Sequence, residues 1–337
     1  MDFSLDDEQL ALQSAVRDLI KTHVSLDVVR GVVDDPEGNG EPPGLWQRMS
    51  DQGWSAVMVP EEHDGLGLGL LDAAVIARCL GAGVVPGPFA ASIIGGEAVR
   101  LAGSAEQQAQ WLPKLAAGEA RFATALLRPG SSYERPGDGV TAKGDRLTGE
   151  IGQVEYAHLA DRIVVAAAGE DGLGAGLWLV DPAASGVTIT RTGTLDATTR
   201  TATVTLSDAE AEPLAAGGSE VAAQLVSRAT VLAANDLAGI AREALERTVD
   251  YMRTREQFGK PIGSFQALKH NLADLLVALT MAEHAAWYAA HALDAGLPDA
   301  EVAVSVAKAK TSDVARVATA KMIQYHGGIG YLSLIHI

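Results

Sequence analysis

The spacing of apolar residues changes twice along this chain. Near the start, Leu12, Val16, Leu19 and Ile20 fall on one face at helical spacing, and Ser4 with Asp7 reads as the capping pair in front of them. The stretch DDPEGNGEPP (34–43) carries only turn-forming and charged residues and predicts an exposed loop. GLWQRMSDQGW (44–54) restarts a helix. VPEEHDGLGLGLLDAAVIARCLGAG (59–83) is a turn-rich entry into a helix so apolar that it must be buried on several sides. EQQAQWLPKLAAGEA (106–120) predicts a short helix broken at Pro113.

The period then shortens. RLTGEI, RIVVAAA, GLWLVD, GVTITRT and TATVTLSD are short runs separated by Gly, Asp and Pro. Val187 and Ile189, like Ala202, Val204 and Leu206, alternate as residues on one face of a strand do. A compact antiparallel β-domain follows from this spacing. After residue 215 the helical period returns in three long segments, 219–257, 263–296 and 297–328, joined by short turns. Phe265, Leu268, Leu272, Leu275, Leu276 and Leu279 form one stripe. Long helices with short connections predict an up-down bundle. The fold class expected is α+β, mostly α, with an N-terminal helical domain (1–120), a central antiparallel β-domain (121–215) and a C-terminal antiparallel helical bundle (216–331).

Composition narrows the function. The 337 residues are 47% hydrophobic, enough for a sizeable core, and 26 basic against 43 acidic residues leave a net charge of -17. The basic residues are dispersed, so neither nucleic acid nor an anionic membrane is expected as a partner. No run approaches the ~18 apolar residues of a spanning helix. The acidic start MDFSLDDEQL is not a signal peptide, and a cytoplasmic location is expected. The single cysteine, Cys79, excludes a disulfide framework and reads as a small buried hydrophobe.

Common catalytic motifs are absent from the sequence. GLGLGLLD (65–72) falls short of a dinucleotide-binding glycine motif and reads as a loop. There is no metal-ligand spacing of His or Cys, so no metal site is expected, and no nucleophile elbow. His270, His284 and His291 lie on bundle helices as packing or surface residues. One stretch stands out, RTREQFGKPIGSFQALKH (253–270). A helix ends in a mixed-charge turn, a Phe-Gly pair follows, and a new helix opens with Ser264 as its expected N-cap. Read on its residues alone, it is either a well-capped helical hairpin or a junction where an arginine holds a diphosphate.

TREQFGKPIGSFQALKHNLADL resembles the matching hairpin of the acyl-CoA dehydrogenase family. The opening MDFSLDDEQ, the segment VPEEHDGLGLGLLDAA, the helix-β-helix order and QYHGGIGY near the end resemble the same family, in the same order. The resemblance implies an FAD enzyme that desaturates the α,β bond of an acyl-CoA thioester: a glutamate takes the α-proton and the flavin takes the β-hydride. It implies a homo- or hetero-oligomer, commonly a tetramer, with electron-transfer flavoprotein as the electron acceptor. Carried over by motif, Arg255, Gln257 and Phe258 would reach the diphosphate and adenine side of a neighbouring subunit's FAD, with Phe265 and Gln266 close by. Gln324, Gly327 and Gly328 would approach the cofactor through backbone.

The chain also departs from that pattern. The family's β-domain carries a T-E-P-x-x-G-S-D-like segment and a Trp-Ile-Thr/Ser-like one that grip the flavin ring. Here those positions hold ALLRPGSSYERP (125–136) and GEIGQVEYAHLADRIVV (149–165), with no Trp before Ala160 in the second. The expectation is that this domain does not hold a flavin ring of its own. Some members place the catalytic glutamate at the start of the first long bundle helix; the matching position falls near Ala229 and carries no acid, and Asp236, Glu243 and Glu246 are out of register with it. Others place it in a Tyr-Glu-Gly segment beyond the GG motif. The catalytic base is therefore unassigned. Two functions stay open, a complete dehydrogenase and a non-catalytic partner subunit that lends FAD contacts and scaffold. The last six residues, LSLIHI (332–337), back-translate to CTG TCT CTT ATA CAC ATC, which resembles a transposon mosaic-end adaptor. They are expected not to belong to the protein, and loss of the family's next helix would expose an apolar face of the bundle.

Overall fold

A computed structural model describes residues 5–129, 136–169 and 174–331. Ser4, the GSSYER part of the first β-domain segment and LSLIHI lie outside the described residues. The chain divides into two compact units, one drawn from Met1–Lys21, Ala74–Val84 and Thr230–Ile337, the other from Thr22–Ala73 and Val85–Ala229. The α+β, mostly helical architecture expected from the sequence is present: helices, then a sheet, then a bundle.

In the second unit, α2 (Leu26–Asp34), α3 (Leu45–Asp51), α5 (Phe89–Ala102) and α6 (Ala105–Ala116) accompany the sheet. Helix α6 is not broken at Pro113. A capping box between Ser104 and Gln107 starts it, Trp111, Leu112 and Leu115 bury one face, and the Pro113 carbonyl still accepts the N–H of Ala117 at 2.9 Å. Pro113 loses the bond its N–H would have made to the Ala109 carbonyl and its ring crowds that carbonyl, and the cap and the buried face offset this cost. The strands are β1 (Phe122–Ala125), β2 (Val140–Lys143), β3 (Arg146–Glu155), β4 (Arg162–Gly169), β5 (Ala175–Val180), β6 (Val187–Thr192) and β7 (Thr201–Pro213). Most pairs are antiparallel, but β1 and β2 both run parallel to β4. Because β5 bonds to β4 and β7 while β2 bonds to β3 and β4, the strands close on themselves. The closed ring of β2, β3, β4, β5 and β7, with β1 and β6 each paired to one strand at its side, surrounds a core that includes Leu147, Ile151, Ile163, Val165, Val204 and Leu206.

The loop 34–43 exposes most of its side chains but is fastened through its backbone. Arg191 donates to the carbonyls of Pro36, Glu37 and Gly38 at 2.6–2.8 Å. Arg200 donates to those of Val32 and Asp35 at 2.8 and 2.7 Å. His158 Nε2 lies 3.0 Å from the Asn39 carbonyl, and its Nδ1 is buried without a partner. Burial holds the His158 pKa below the ordinary histidine value, and the Arg191 and Arg200 charges push the same way.

In the other unit, α1 (Asp7–His23) is capped by Asp6 and Gln9: the Gln9 N–H donates to Asp6 Oδ1 at 2.8 Å, and the Asp6 N–H to Gln9 Oε1 at 3.2 Å. Helix α4 (Leu70–Ala82) is buried along most of its length, as its composition predicts. Cys79 is buried within it, and burial raises its thiol pKa. Helix α4 meets α7 (Ser219–Thr254) through glycines: a Cβ at Gly81 would overlap the Asp236 backbone, and one at Gly239 the Arg78 carbonyl. Beside this crossing, Glu283 of α8 (Gln266–Asp294) holds two arginines. It binds Arg78 on one oxygen and takes Arg242 Nε and Nη2 at 2.9 and 2.6 Å. Arg78 also lies 4.7 Å from the centre of the Trp287 ring. Helix α9 (Ala300–Tyr325) packs on α8, and Leu245, Leu272, Leu275, Leu279 and Val314 form the bundle core. Among the described residues, no helix is long and apolar enough to cross a membrane and no cluster of His, Cys, Asp and Glu could hold a metal.

Two outcomes follow. Glu283→Gln leaves the buried Arg78 and its neighbour Arg242 without their shared carboxylate, and should cost about 3–5 kcal/mol in denaturant unfolding; a loss under about 1 kcal/mol would show that the cluster carries no such weight. For His158, the depressed folded pKa means the unfolded state binds the proton first as pH falls. Stability should therefore drop as pH falls through the ordinary histidine range, and the drop should be shallower in His158→Gln, measured as melting temperature against pH.

Candidate functional site

The end of the bundle is built from a turn that costs energy to hold. After α7 the chain forms a two-stranded hairpin, β8 (Glu256–Gln257) and β9 (Lys260–Pro261), with Gln257 paired to Lys260. Its two turn residues, Phe258 and Gly259, both have positive φ, 55° and 73°. Such a tight turn suits Asn-Gly. Phenylalanine there costs about 1–2 kcal/mol. Its ring is nevertheless 91% exposed, so no burial offsets the strain. Backbone strain at an exposed aromatic points to a binding role.

Around it the expected residues converge. Arg255 is held by its backbone: its N–H donates to the Tyr251 carbonyl, and its own carbonyl accepts from Ile262, both at 2.8 Å. Its guanidinium is exposed and pairs with no acid among the described residues. Gln257 is exposed and donates to the Glu256 carbonyl at 2.8 Å. Phe265 meets Phe258 edge to face at 6.2 Å, and Lys260 Nζ sits 4.5 Å over the Phe265 ring. Ser264 is not the N-cap of α8. A 3-10 turn over Ile262–Ser264 delays the helix, so Phe265 caps it without a side-chain bond, and Gln266 is its exposed first residue.

The second motif arrives at the same end. The His326 ring stacks on Tyr251 with centroids 4.2 Å apart. That contact joins the end of α9 to the end of α7, beside the hairpin. Gln324 is exposed there. Gly327 has φ +60°, the left-handed conformation that ends α9, and α10 (Gly328–Tyr331) follows. A Cβ at Gly328 would meet nothing within 4 Å, so its backbone is open to an approaching group. The structure thus brings Arg255, Gln257, Phe258, Phe265, Gln266, Gln324, Gly327 and Gly328 to one end of one unit. Lys260 and the Tyr251–His326 pair escaped the sequence reading. Lys260 was legible only as part of the turn, and Tyr251 lies one helical turn before Arg255.

Cations with no acid partner among the described residues, flat rings and an open glycine backbone are a donor set for a diphosphate and an adenine. The β-domain positions are different. Strand β3 carries an irregularity between Ile151 and Val154, with Gln153 at positive φ and exposed. Val154 is buried in the sheet core. Tyr156 is buried, its hydroxyl accepting the Gly87 N–H at 2.8 Å and donating to the Thr198 carbonyl at 3.0 Å. In the second of the two expected ring-gripping segments, Gln153 is thus exposed, Val154 is core and the Tyr156 hydroxyl is spent on internal bonds. On α7, Ala229 has no group to move a proton, and Glu243 is bound by Arg247 at 2.6 Å.

Comparison with known proteins matches this architecture. Residues 6–119 match the acyl-CoA dehydrogenase N-terminal domain and residues 216–336 the acyl-CoA dehydrogenase C-terminal domain. Acyl-CoA dehydrogenase IpdE2 of Mycobacterium tuberculosis is 31% identical over 96% of this chain and 86% of its own length. Among solved structures, a Tcur3481–Tcur3483 steroid ACAD variant is 30% identical with a TM-score of 0.87, over 96% of this chain and 88% of that one. The ChsE4–ChsE5 complex from Mycobacterium tuberculosis is 26% identical with a TM-score of 0.87, over 99% of this chain and 90% of that one. The paired motifs, the helix-sheet-bundle order and these likenesses agree: the chain belongs to the acyl-CoA dehydrogenase family.

Proposed function

We propose that this chain is a subunit of an FAD-dependent acyl-CoA dehydrogenase that desaturates the α,β bond of an acyl-CoA thioester within a homo- or hetero-oligomer. The observation that carries the reading is the end of the bundle, where an unpaired Arg255, a strained and exposed Phe258 and the open Gly328 backbone face outward together. Arg255 and Lys260 would neutralise the diphosphate, Phe258 and Phe265 would flank the adenine, and Gly327 and Gly328 would admit it without steric conflict. Bound there, FAD would supply the hydride acceptor. The subunit is cytoplasmic in this reading, with an electron-transfer flavoprotein as its redox partner.

A second reading has its own support. Tyr156, in the second segment expected to grip the flavin ring, is bonded internally, and Ala229 carries no acid, while Glu97, which reaches the adjacent Arg228 at 3.0 Å, is held by that arginine and by Arg100. These features favour a non-catalytic partner subunit, whose Arg255 corner completes an FAD site on a related chain. The names of two similar structures, a steroid ACAD of two components and the ChsE4–ChsE5 complex, suit such pairing.

Arg255→Ala should weaken FAD binding about tenfold to a hundredfold, as loss of a charge-assisted bond to phosphate does. Flavin absorbance co-eluting with the protein checks this, and unchanged retention contradicts the site. Acyl-CoA-dependent reduction of an artificial electron acceptor separates the readings. A complete enzyme is active alone, whereas a partner subunit gains flavin and activity only when mixed with a related chain.

A further inference from the structure

The chain holds three asparagines, and Asn39 alone is followed by glycine. An asparagine can modify itself. The backbone nitrogen of the next residue attacks the side-chain amide carbon, a C–N bond closes a five-membered succinimide, and ammonia leaves. Water then opens the ring at either carbonyl, giving aspartate or isoaspartate. The sum is amide plus water to acid plus ammonia, with nothing oxidised or reduced, and it makes asparagine thermolabile. Glycine in the next position favours the step, because no Cβ shields its nitrogen or restricts its rotation.

Local structure separates the three. The Asn39 side chain is exposed and, among the described residues, has no hydrogen-bond partner; the Gly40 N–H has none either. Gly40 sits at φ +77°, and a Cβ there would overlap the Arg200 stem, so the position admits only glycine. Asn235 is buried within α7 and donates to the Val231 carbonyl at 2.9 Å. Asn271 lies in α8, donating to the Ala267 carbonyl at 2.8 Å and accepting from Lys321 at 3.0 Å. In both helices the following N–H is committed to the helical ladder.

The fastening of the 34–43 loop restrains Asn39. Ring closure requires the main chain at 39–40 to turn until the amide carbon meets the Gly40 nitrogen. His158 Nε2 lies 3.0 Å from the Asn39 carbonyl, Arg191 donates to the Gly38 carbonyl at 2.8 Å, and the Tyr156 hydroxyl lies 3.3 Å from the Gly40 carbonyl. These bonds fix the backbone on both sides of the reacting pair, so reaction proceeds from the fraction of molecules in which the loop has opened locally. The isoaspartate product runs the main chain through the former side chain. The carbonyl that faced His158 then leaves the main chain, and the original fastening cannot re-form.

We propose that Asn39–Gly40 is a self-modification site, converting in the folded chain to aspartate and isoaspartate at a rate set by His158 and Arg191. The test incubates the full chain in mildly alkaline buffer at physiological temperature and follows the tryptic peptide 31–48 by mass against a zero-time sample. The same peptide made synthetically is the unrestrained reference. Asn39 should convert more slowly than in the free peptide, while Asn235 and Asn271 stay unchanged. His158→Phe keeps a ring on Tyr156 and removes the donor; it should speed conversion about twofold to tenfold, the weight of one hydrogen bond. Arg191→Met removes bonds to three carbonyls and should speed it at least as much. Melting temperatures check that each variant is folded, and Arg191→Met serves if His158→Phe is not. Asn39 intact in the folded chain after the free peptide has converted overturns the proposal. So does conversion of the parent at the free-peptide rate, or one rate shared by the parent and the folded variants.

Discussion

The stack of His326 on Tyr251 is the contact on which the candidate site depends. It is a direct side-chain link between two motifs more than sixty residues apart in sequence, because Tyr251 lies one turn before Arg255 and His326 immediately precedes Gly327. Met252, Ile262, Met322 and Tyr325 pack in the same bundle core, and the stack extends that packing to the two helix ends. With it, a cationic turn and an open backbone face the same space. The hairpin adds the second constraint. The bond from Ile262 to the Arg255 carbonyl closes the turn and holds Phe258 at positive φ, presenting its ring outward. A turn selected for stability alone would place Asn or Gly there.

The β-domain uses its polar groups in the opposite way. Arg191, Arg200, His158 and Tyr156 are not turned toward a ligand; they satisfy backbone carbonyls and an N–H of nearby loops. Unsatisfied buried carbonyls are costly, so each such bond removes a penalty and commits a side chain. That commitment is the physical content of the departure seen in the sequence. A Tyr whose hydroxyl is already bonded at 2.8 Å and 3.0 Å has little left to offer a cofactor. One unit therefore presents free groups at its surface and the other spends them internally, which is why a shared cofactor site between related chains is a serious reading.

Much of this was legible in the amino-acid pattern. The long helices showed because their apolar period runs uninterrupted, strands β3 to β5 because short apolar runs are separated by Gly, Asp and Pro, and β6 and β7 because their apolar residues alternate. Strands β1 and β2 were missed: FATA and VTAK are four residues each, too short for a period to register. Local chemistry misled at Ser264 and Pro113. A serine before a helix is a reasonable cap until a 3-10 turn consumes the position, and a proline breaks a helix only where no capping box and buried face hold it together. The clamped loop at 34–43 was invisible, because its fastening comes from arginines more than 150 residues away. Leu276 looked like core for the same reason but is 44% exposed in the single chain, because a stripe on one helix does not say which residue at its edge the neighbouring helices leave uncovered.

The most direct measurement is flavin loading in Tyr251→Leu. This change keeps an apolar side chain on α7 but removes the aromatic face under His326. If the stack assembles the site, the variant should melt within a few degrees of the parent while retaining much less FAD under matched conditions, in the presence of whatever related chain the parent requires. Equal flavin loading in the two proteins would contradict the account, because it would mean that the two motifs do not need to be held together.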